Sequence, residues 1–299
     1  MITKEATEAP SAPATAVPEP PKPAKTRRRA WDEAPRWQIY LPLSIYLVFT
    51  LIPFYWILLF SLRPSGSTTL VPWPMTFDHF EKVWTERSFG IYFQNSVLVG
   101  VATLFMTTLV ALAGGYALAR FNFKVKQVFM LALLCSQFVP GALLLVPLFE
   151  IFAGLQMINS LGSVILAETV FQLPLSIILI SNFIKNVPYS LEEAAWVDGC
   201  SRMKAFRIVV LPLLRPGLIA VGSFAFVHSW NHFLFALMFL NNQGKQTIPV
   251  GLNTLMGADS VDLGALAAGG IIAAVPVVIV FAFIQKWLIT GFSAGAVKG

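Results

Sequence analysis

The sequence has few charged residues for its length. Lys, Arg, Asp and Glu make up 12% of the 299 residues, whereas 56% are hydrophobic and the mean hydropathy is +0.70. A soluble globular domain carries about 25% charged residues, so this composition excludes one and predicts an integral membrane protein. The net charge of +6 reflects the uneven placement of basic residues described below and does not call for an acidic ligand.

Histidine and cysteine are also scarce. The histidines are His79, His228 and His232, and the two cysteines are Cys135 and Cys200. One cysteine falls in an apolar run and the other in a polar segment, which argues against a disulfide, and nothing in their spacing suggests metal ligation. The sequence also lacks an HExxH motif and a G-x-x-x-x-G-K-[ST] phosphate loop. These absences argue against a membrane-embedded enzyme, a metal site and ATP hydrolysis by this chain.

Six apolar runs are long enough to cross a bilayer as helices that rise about 1.5 Å per residue. They cover about residues 40–62, 94–119, 127–149, 161–184, 216–240 and 264–288. The predicted fold class is therefore all-α, a polytopic membrane protein with six transmembrane helices. Of the 21 basic residues, all but Arg63, Lys82, Arg87 and Lys245 fall on the side of the termini. Because basic residues concentrate on the cytoplasmic side, we expect a multi-pass protein of the plasma or inner membrane with both termini cytoplasmic.

The first 36 residues differ from the rest of the chain. Proline and alanine dominate them, and the basic cluster Arg27-Arg28-Arg29 precedes the first apolar run. Because this stretch has too few apolar side chains to bury a core, residues 1–36 are predicted to be a disordered cytoplasmic tail. The six-helix membrane domain then covers residues 37–299. Basic residues beside a first span indicate its orientation, so we prefer that interpretation of the cluster to nucleic-acid binding.

The segment 190–212 lies between the fourth and fifth runs and is too polar to cross a bilayer. Ser190 and Glu193 have the spacing of a capping box, which predicts a helix that begins at Ser190. Asp198 and Arg202 are four residues apart, which would place them one turn apart on a helix. The segment is therefore predicted to be a folded element outside the membrane.

The same segment carries small residues where a partner surface could approach. Ala194, Ala195 and Gly199 leave little side-chain bulk, and Gly199 also permits a turn. Ser201 is predicted to cap a second helix, which Pro212 would end. A DNA-binding helix-turn-helix is disfavoured because both ends of the segment are tethered to membrane spans.

Glu193-Ala194-Ala195, Gly199, Val209 and Leu211-Pro212 closely resemble the EAA motif of ABC-importer permease subunits, which usually has Ile in place of Val209. The resemblance implies a type I importer permease fold, in which 190–212 docks into a cleft on an ATP-binding cassette ATPase dimer. ATP and Mg would bind to those partner subunits, and this chain would hold no cofactor. The residues implied to couple to the ATPase are Glu192, Glu193, Ala194, Ala195, Asp198, Gly199, Arg202, Leu211 and Pro212.

Further segments resemble the second permease subunit of maltose-type carbohydrate importers. They are 116–123, 230–237, 247–252 and 291–299, and the second of them has His232 where Glu is usual. This resemblance covers about 36–299. It implies a sugar as the solute, a second homologous permease subunit, an extracytoplasmic substrate-binding protein, surrounding membrane lipid, and a C-terminal tail that enters the gap between the ATPase subunits. An importer for glycerol phosphate or another small solute stays open.

Polar residues within the apolar runs are candidates for the solute pathway. A charge at mid-helix costs about 2.5–3.5 kcal/mol on insertion scales, so Glu168 must face protein or water. Gln172 and Ser176 follow at intervals of four, which predicts a polar stripe on the fourth helix. Sugar hydroxyls could bond to these groups. The further candidates, on the third and fifth runs, are Gln137, His228 and Asn231.

Two alternatives to a solute pathway remain at this point. Lone polar side chains often bond to neighbouring helices and merely hold a membrane bundle together. Glu168 and His228 could instead serve as relay groups in a proton-coupled secondary transporter. That second function leaves the folded segment 190–212 unexplained.

Overall fold

The computed structural model describes residues 36–257 and 261–296, and side chains within 37–257 and 261–285. The predicted disordered tail lies outside the described residues except for Arg36, and so do the last three residues of the predicted C-terminal tail. The chain divides into two compact units, 1–52 and 53–299. In the first unit, the structure describes the beginning of one long helix. The second unit contains the rest of that helix and all the residues discussed below.

The described residues form helices joined by turns, with no strand among them. A π-helical segment (Phe206–Val210) and two 3₁₀ turns (Gly141–Leu144 and Gln243–Lys245) interrupt the α-helical series. In chain order the α-helices are α1 (Arg36–Leu62), α2 (Asp78–Thr85), α3 (Phe89–Arg120), α4 (Lys126–Ser136), α5 (Leu145–Gly154), α6 (Leu161–Lys185), α7 (Tyr189–Val197), α8 (Arg202–Ala205), α9 (Leu211–Leu213), α10 (Arg215–Asn231), α11 (Leu234–Phe239), α12 (Ile248–Thr254) and α13 (Leu263–Ala296).

Four of these helices are long and apolar enough to cross a membrane: Trp37–Leu62, Phe89–Arg120, Leu161–Lys185 and Leu263–Gln285. Two bent helix pairs also qualify, and the number of spans reaches six if each pair counts as one. The first pair, Lys126–Ser136 with Gly141–Gly154, bends by 93°, and the second, Arg202–Leu213 with Arg215–Asn231, bends by 73°. The all-α membrane fold predicted from the sequence is therefore confirmed.

Two of the predicted runs are broken in the structure. The third run breaks between Ser136 and Gly141, where Pro140 adopts an extended conformation and removes a backbone donor. The fifth run was predicted as one helix over 216–240, and this is wrong. It ends at Asn231, because His232 is extended with ψ 123°, and a new helix begins at Leu234.

The helix α3 packs against α6 and α10 along much of its length. Gly115 permits a close approach to α6, because a Cβ atom there would lie 2.7 Å from Ile180 Cγ2 and 3.0 Å from the backbone nitrogen of Ser181. Small residues of this kind let membrane helices approach closely. An apolar cluster that includes Leu118, Ile184 and Val210 then connects these helices to the segment 190–212.

Candidate functional site

The segment 190–212 begins with the helix α7, which starts at Tyr189 rather than at Ser190. Pro188 occupies the N-cap position in an extended conformation, and no side chain caps the helix. The predicted capping box of Ser190 and Glu193 is therefore wrong. Proline is suited to the residues just before a helix because its ring fixes φ.

The helix α7 ends in a turn at Gly199. The N–H of Gly199 donates to the carbonyl of Trp196 at 3.0 Å, and the N–H of Cys200 donates to the carbonyl of Ala195 at 2.9 Å. This pair of bonds is a Schellman motif, which requires a left-handed residue, and Gly199 has φ +83°. The turn separates Asp198 from α8, so the prediction that Asp198 and Arg202 lie one turn apart on a helix is wrong.

The second helix begins as predicted but does not end at Pro212. The hydroxyl of Ser201 accepts a bond from the backbone N–H of Lys204 at 3.3 Å. The chain then continues through the π segment Phe206–Val210 into α9, which contains Pro212. Proline lacks a donor and is tolerated in the first turn of a helix. Here Pro212 lies in the first turn of α9, directly after the π segment.

The exposed surface of this segment contains most of the residues that the EAA resemblance singles out. Exposed residues are Glu193, Ala194, Asp198, Gly199, Arg202 and Pro212, while Leu211 is partly buried. The guanidinium of Arg202 lies 5.2 Å from the centre of the Trp196 ring. Ala195 and Glu192 are buried, so neither can contact a partner protein directly in this conformation.

Glu192 instead connects α7 to the end of α3. Its Oε1 lies 2.6 Å from Nε of Arg120, and its Oε2 accepts a hydrogen bond from the hydroxyl of Tyr116 at 2.8 Å. Arg120 also donates from Nη2 to the carbonyl of Val187 at 2.9 Å, and its guanidinium lies 5.3 Å from the ring centre of Tyr189. Both oxygens of a buried carboxylate are thus bonded, which fixes the position of α7 on α3.

A cavity of about 400 Å³ lies beside the predicted pathway residues on α6 and α10. It opens where the third run is broken, so residues from that break, from α6 and from the end of α10 meet there. The lining residues are Ser136, Gln137, Val139, Gly141, Leu144, Val170, Phe171, Pro174, His228 and His232. The amide nitrogen of Gln137 approaches the carbonyl of Phe171 at 3.5 Å.

Glu168 lies behind this wall and is completely buried. Its Oε1 is 2.7 Å from Nδ1 of His232, and its Oε2 is 3.4 Å from Nδ1 of His228. These contacts have the distances of ion pairs but not the angles of hydrogen bonds. The two imidazole rings stack with centres 5.4 Å apart. Among the described residues, no group of three or more His, Cys, Asp and Glu could hold a metal ion.

The other predicted pathway residues lie elsewhere. Gln172 and Ser176 are buried on α6, and their side chains have no hydrogen-bond partner among the described residues. Asn231 is exposed and donates to the carbonyl of Val227 in its own helix at 2.9 Å. It lines a different cavity, of about 330 Å³, together with residues of α12 and α13 that include Asn253. The structure therefore brings together Gln137, Glu168 and His228 but not Asn231.

Sequence reasoning missed three residues of these sites. Arg120 and Tyr116 belong to the segment 116–123, which resembles maltose-type permeases but gives no local sign of a partner. Their contacts with Glu192 span more than 70 residues. His232 was noted as a departure from the usual Glu without an assigned partner. Its spacing of four residues from His228 was the available signal, since this spacing places both rings on one side of a helix.

Comparisons with known proteins agree with this architecture. Residues 110–293 match the family described as binding-protein-dependent transport system inner membrane component. The diacetylchitobiose uptake system permease protein DasC of Streptomyces coelicolor is 34% identical over 86% of this chain and 94% of its own length. The sulfoquinovosyl glycerol transport system permease protein SmoH of Agrobacterium fabrum is 34% identical over 87% of this chain and 93% of its own length.

A solved structure supports the fold independently. It belongs to a bacterial ABC transporter involved in the import of the acidic polysaccharide alginate. The TM-score is 0.71 at 19% identity, over 85% of this chain and 98% of that chain. These three matches cover most of the length of each protein. The chain is therefore a member of the binding-protein-dependent transport system inner membrane component family, and a permease related to those of sugar ABC transporters.

Proposed function

We propose that this chain is one of two homologous permease subunits of an ATP-driven saccharide importer. An extracytoplasmic binding protein delivers the solute, and a separate ATPase dimer binds ATP and Mg and supplies the energy. The segment 190–212 transmits the movement of the ATPase to the membrane helices. The observation that carries this proposal is the exposed surface of α7 and Gly199, fixed to α3 by the buried contact between Glu192 and Arg120.

The arrangement of 190–212 suits mechanical coupling. Glu193 and Ala194 are exposed on α7, where a partner could dock against them. On the other face of α7, Glu192 and Ala195 are buried. Breaking a buried ion pair by removing one charge costs about 3–5 kcal/mol, so α7 should move with the end of α3 as one body. Glu192 is therefore proposed to position the docking surface, and Glu193 to belong to it.

The solute is proposed to be a saccharide. The named relatives are permeases for diacetylchitobiose and sulfoquinovosyl glycerol, and the structural neighbour imports alginate. The cavity beside α6 combines a flat aromatic side chain, Phe171, with the polar groups of Gln137 and His228. Such a mixture suits a sugar, which presents apolar ring faces and hydroxyl edges.

The orientation is proposed from charge, with both termini and 190–212 in the cytoplasm. The same orientation places α2 and α12 outside, where a binding protein would deliver the solute. A proton-coupled transporter was the alternative function. Glu168 and His228 do lie 3.4 Å apart, but membership of this family favours the importer.

The test is co-purification of the tagged chain from native membranes, followed by mass spectrometry of its partners. Wild type should recover a second permease and an ATPase. Glu193→Lys should retain the permease and lose the ATPase, because it reverses an exposed charge on the docking surface. Glu81→Lys is the matched control, since Glu81 is also exposed but lies on α2. The proposed function would be refuted if the wild-type chain were recovered without partners. The docking role of Glu193 would be refuted if Glu193→Lys recovered as much ATPase as wild type.

A further inference from the structure

The cavity beside α6 has ionisable side chains on only one part of its wall. His228 and His232 provide them, with 39% and 22% of their side chains exposed. The remaining lining side chains are uncharged, including Ser136 and Gln137 from the broken third run. Any preference of this cavity for a charged solute must therefore come from the two imidazoles.

The orientation of both imidazoles is set by Glu168. Each ring directs Nδ1 toward the same buried carboxylate, at 2.7 Å for His232 and 3.4 Å for His228. Both Nδ1 atoms are buried, so the exposed part of each ring is the edge that carries Nε2. The carboxylate thus occupies the Nδ1 side of each ring and leaves Nε2 for another partner. The two Nε2 edges are therefore available to a ligand in the cavity.

The cluster contains two imidazoles and a single carboxylate, that of Glu168. One carboxylate can neutralise at most one imidazolium. A second anion placed against the Nε2 edges would neutralise the other ring, because an opposite charge within about 4–6 Å favours the charged form. Glu168 cannot provide this second contact, since it is completely buried and both oxygens already face Nδ1 atoms.

We propose that His228 and His232 bind an acidic group of the transported saccharide, so that the solute is an acidic sugar or oligosaccharide. This inference rests on the proposed function and narrows its substrate class. The acidic group lies against the Nε2 edges, while Phe171 and the apolar part of the wall contact the sugar ring. Glu168 is a positioning residue that holds the rings without touching the solute. Glu168 from α6 is the charged group in contact with the imidazoles, and the other polar side chains that line the cavity are the uncharged Gln137 and Ser136.

The experiment measures binding of saccharides to the purified complex of this chain with its co-purifying permease and ATPase, in lipid nanodiscs. The probes are trisaccharides of galacturonic, glucuronic and mannuronic acid, each paired with its neutral methyl ester. At about pH 5.5, at least one acid should bind about tenfold more tightly than its ester.

The matched variant is Glu168→Gln/His228→Gln/His232→Gln, which removes all three ionisable groups and leaves no buried charge unpaired. It should retain the co-purifying permease and ATPase and bind acid and ester equally, within about twofold. Binding of no acid up to about 10 mM, equal binding of acid and ester by wild type, or a preference that survives in the variant would each overturn the proposal. Loss of the ATPase from the wild-type complex would instead refute the proposed function.

Discussion

Arg120 and Glu192 form a buried ion pair between the last turn of α3 and the first turn of α7, with Nε and Oε1 2.6 Å apart. The side chain of Arg120 is 9% exposed and that of Glu192 is completely buried. Tyr116 bonds the second carboxylate oxygen. This pair fixes the segment 190–212 on a membrane helix. Variants of Glu192 therefore test how the segment is positioned, whereas variants of the exposed Glu193 test how it docks.

Glu192→Gln should destabilise the protein by about 3–5 kcal/mol, because it leaves the guanidinium of Arg120 in a buried site without its counter-charge. Arg120→Met/Glu192→Met should cost less than Glu192→Gln, since no charge remains buried. Thermal unfolding of the detergent-purified chain measures both. The control is Glu193→Gln, an exposed neighbour, which should change stability by less than about 0.5 kcal/mol. Equal losses for Glu192→Gln and Glu193→Gln would show that the ion pair contributes little.

Substitutions at Gly199 should distinguish two effects: the backbone strain of a side chain at positive φ, which lowers stability, and the side-chain bulk, which hinders docking. A Cβ there would meet no atom within 4 Å, but φ is +83°. Gly199→Ala should therefore lower stability by about 1–2 kcal/mol through strain alone. Gly199→Asn should lower it less, because asparagine tolerates the left-handed conformation. Both variants place side-chain bulk on the proposed docking surface and should reduce the ATPase yield in co-purification. If alanine were as stable as glycine, the Schellman turn would not depend on this residue.

Local sequence signals predicted much of the segment 190–212. The turn at Gly199 and the cap at Ser201 both depend on a few neighbouring residues, and both are present. The start of α7 was misplaced because two local signals competed there, and Pro188 took the cap position instead of Ser190. The second helix was predicted to end at Pro212 because proline commonly ends a helix, whereas Pro212 lies in the first turn of α9.

The contacts that define the candidate sites were not predictable in the same way. The EAA resemblance implied that Glu192 couples to the ATPase, but it does not show that Glu192 is buried. That burial depends on Arg120 at the end of another helix. Glu168 was identified from its cost inside the membrane, but its partner His232 was not. That contact joins α6 to the break after α10, and neither hydropathy nor helical period predicts where a helix breaks.

Close packing between α3 and α6 gives a prediction about small residues. Gly115→Ala should destabilise the protein by about 1–3 kcal/mol, because its Cβ would lie 3.0 Å from the Ser181 backbone nitrogen, which cannot rotate away. Gly154→Ala is the matched control, since no atom lies within 4 Å of a Cβ there. It should be neutral or stabilising by up to about 1 kcal/mol, as alanine favours a helix. The measurement is the unfolding temperature of each variant relative to wild type. The prediction fails if Gly115→Ala and Gly154→Ala change it by the same amount.

Asp262 lies just before α13 and should make stability depend on pH. The backbone N–H of Ala265, bonded to its Oδ1 at 3.0 Å, holds the pKa of Asp262 below its usual value, and Lys82, with Nζ 3.5 Å from Oδ2, and His79 lower it further.

A depressed folded-state pKa means that the contribution of Asp262 is fully present above the unfolded pKa of about 3.9. The contribution is then lost as the pH falls through the folded value. Asp262→Asn keeps a side chain that can cap the helix but removes the charge. The unfolding temperature of wild type should therefore fall more steeply between about pH 5 and pH 3 than that of Asp262→Asn. Parallel pH profiles would show that the carboxylate of Asp262 interacts no more favourably in the folded protein than in the unfolded chain.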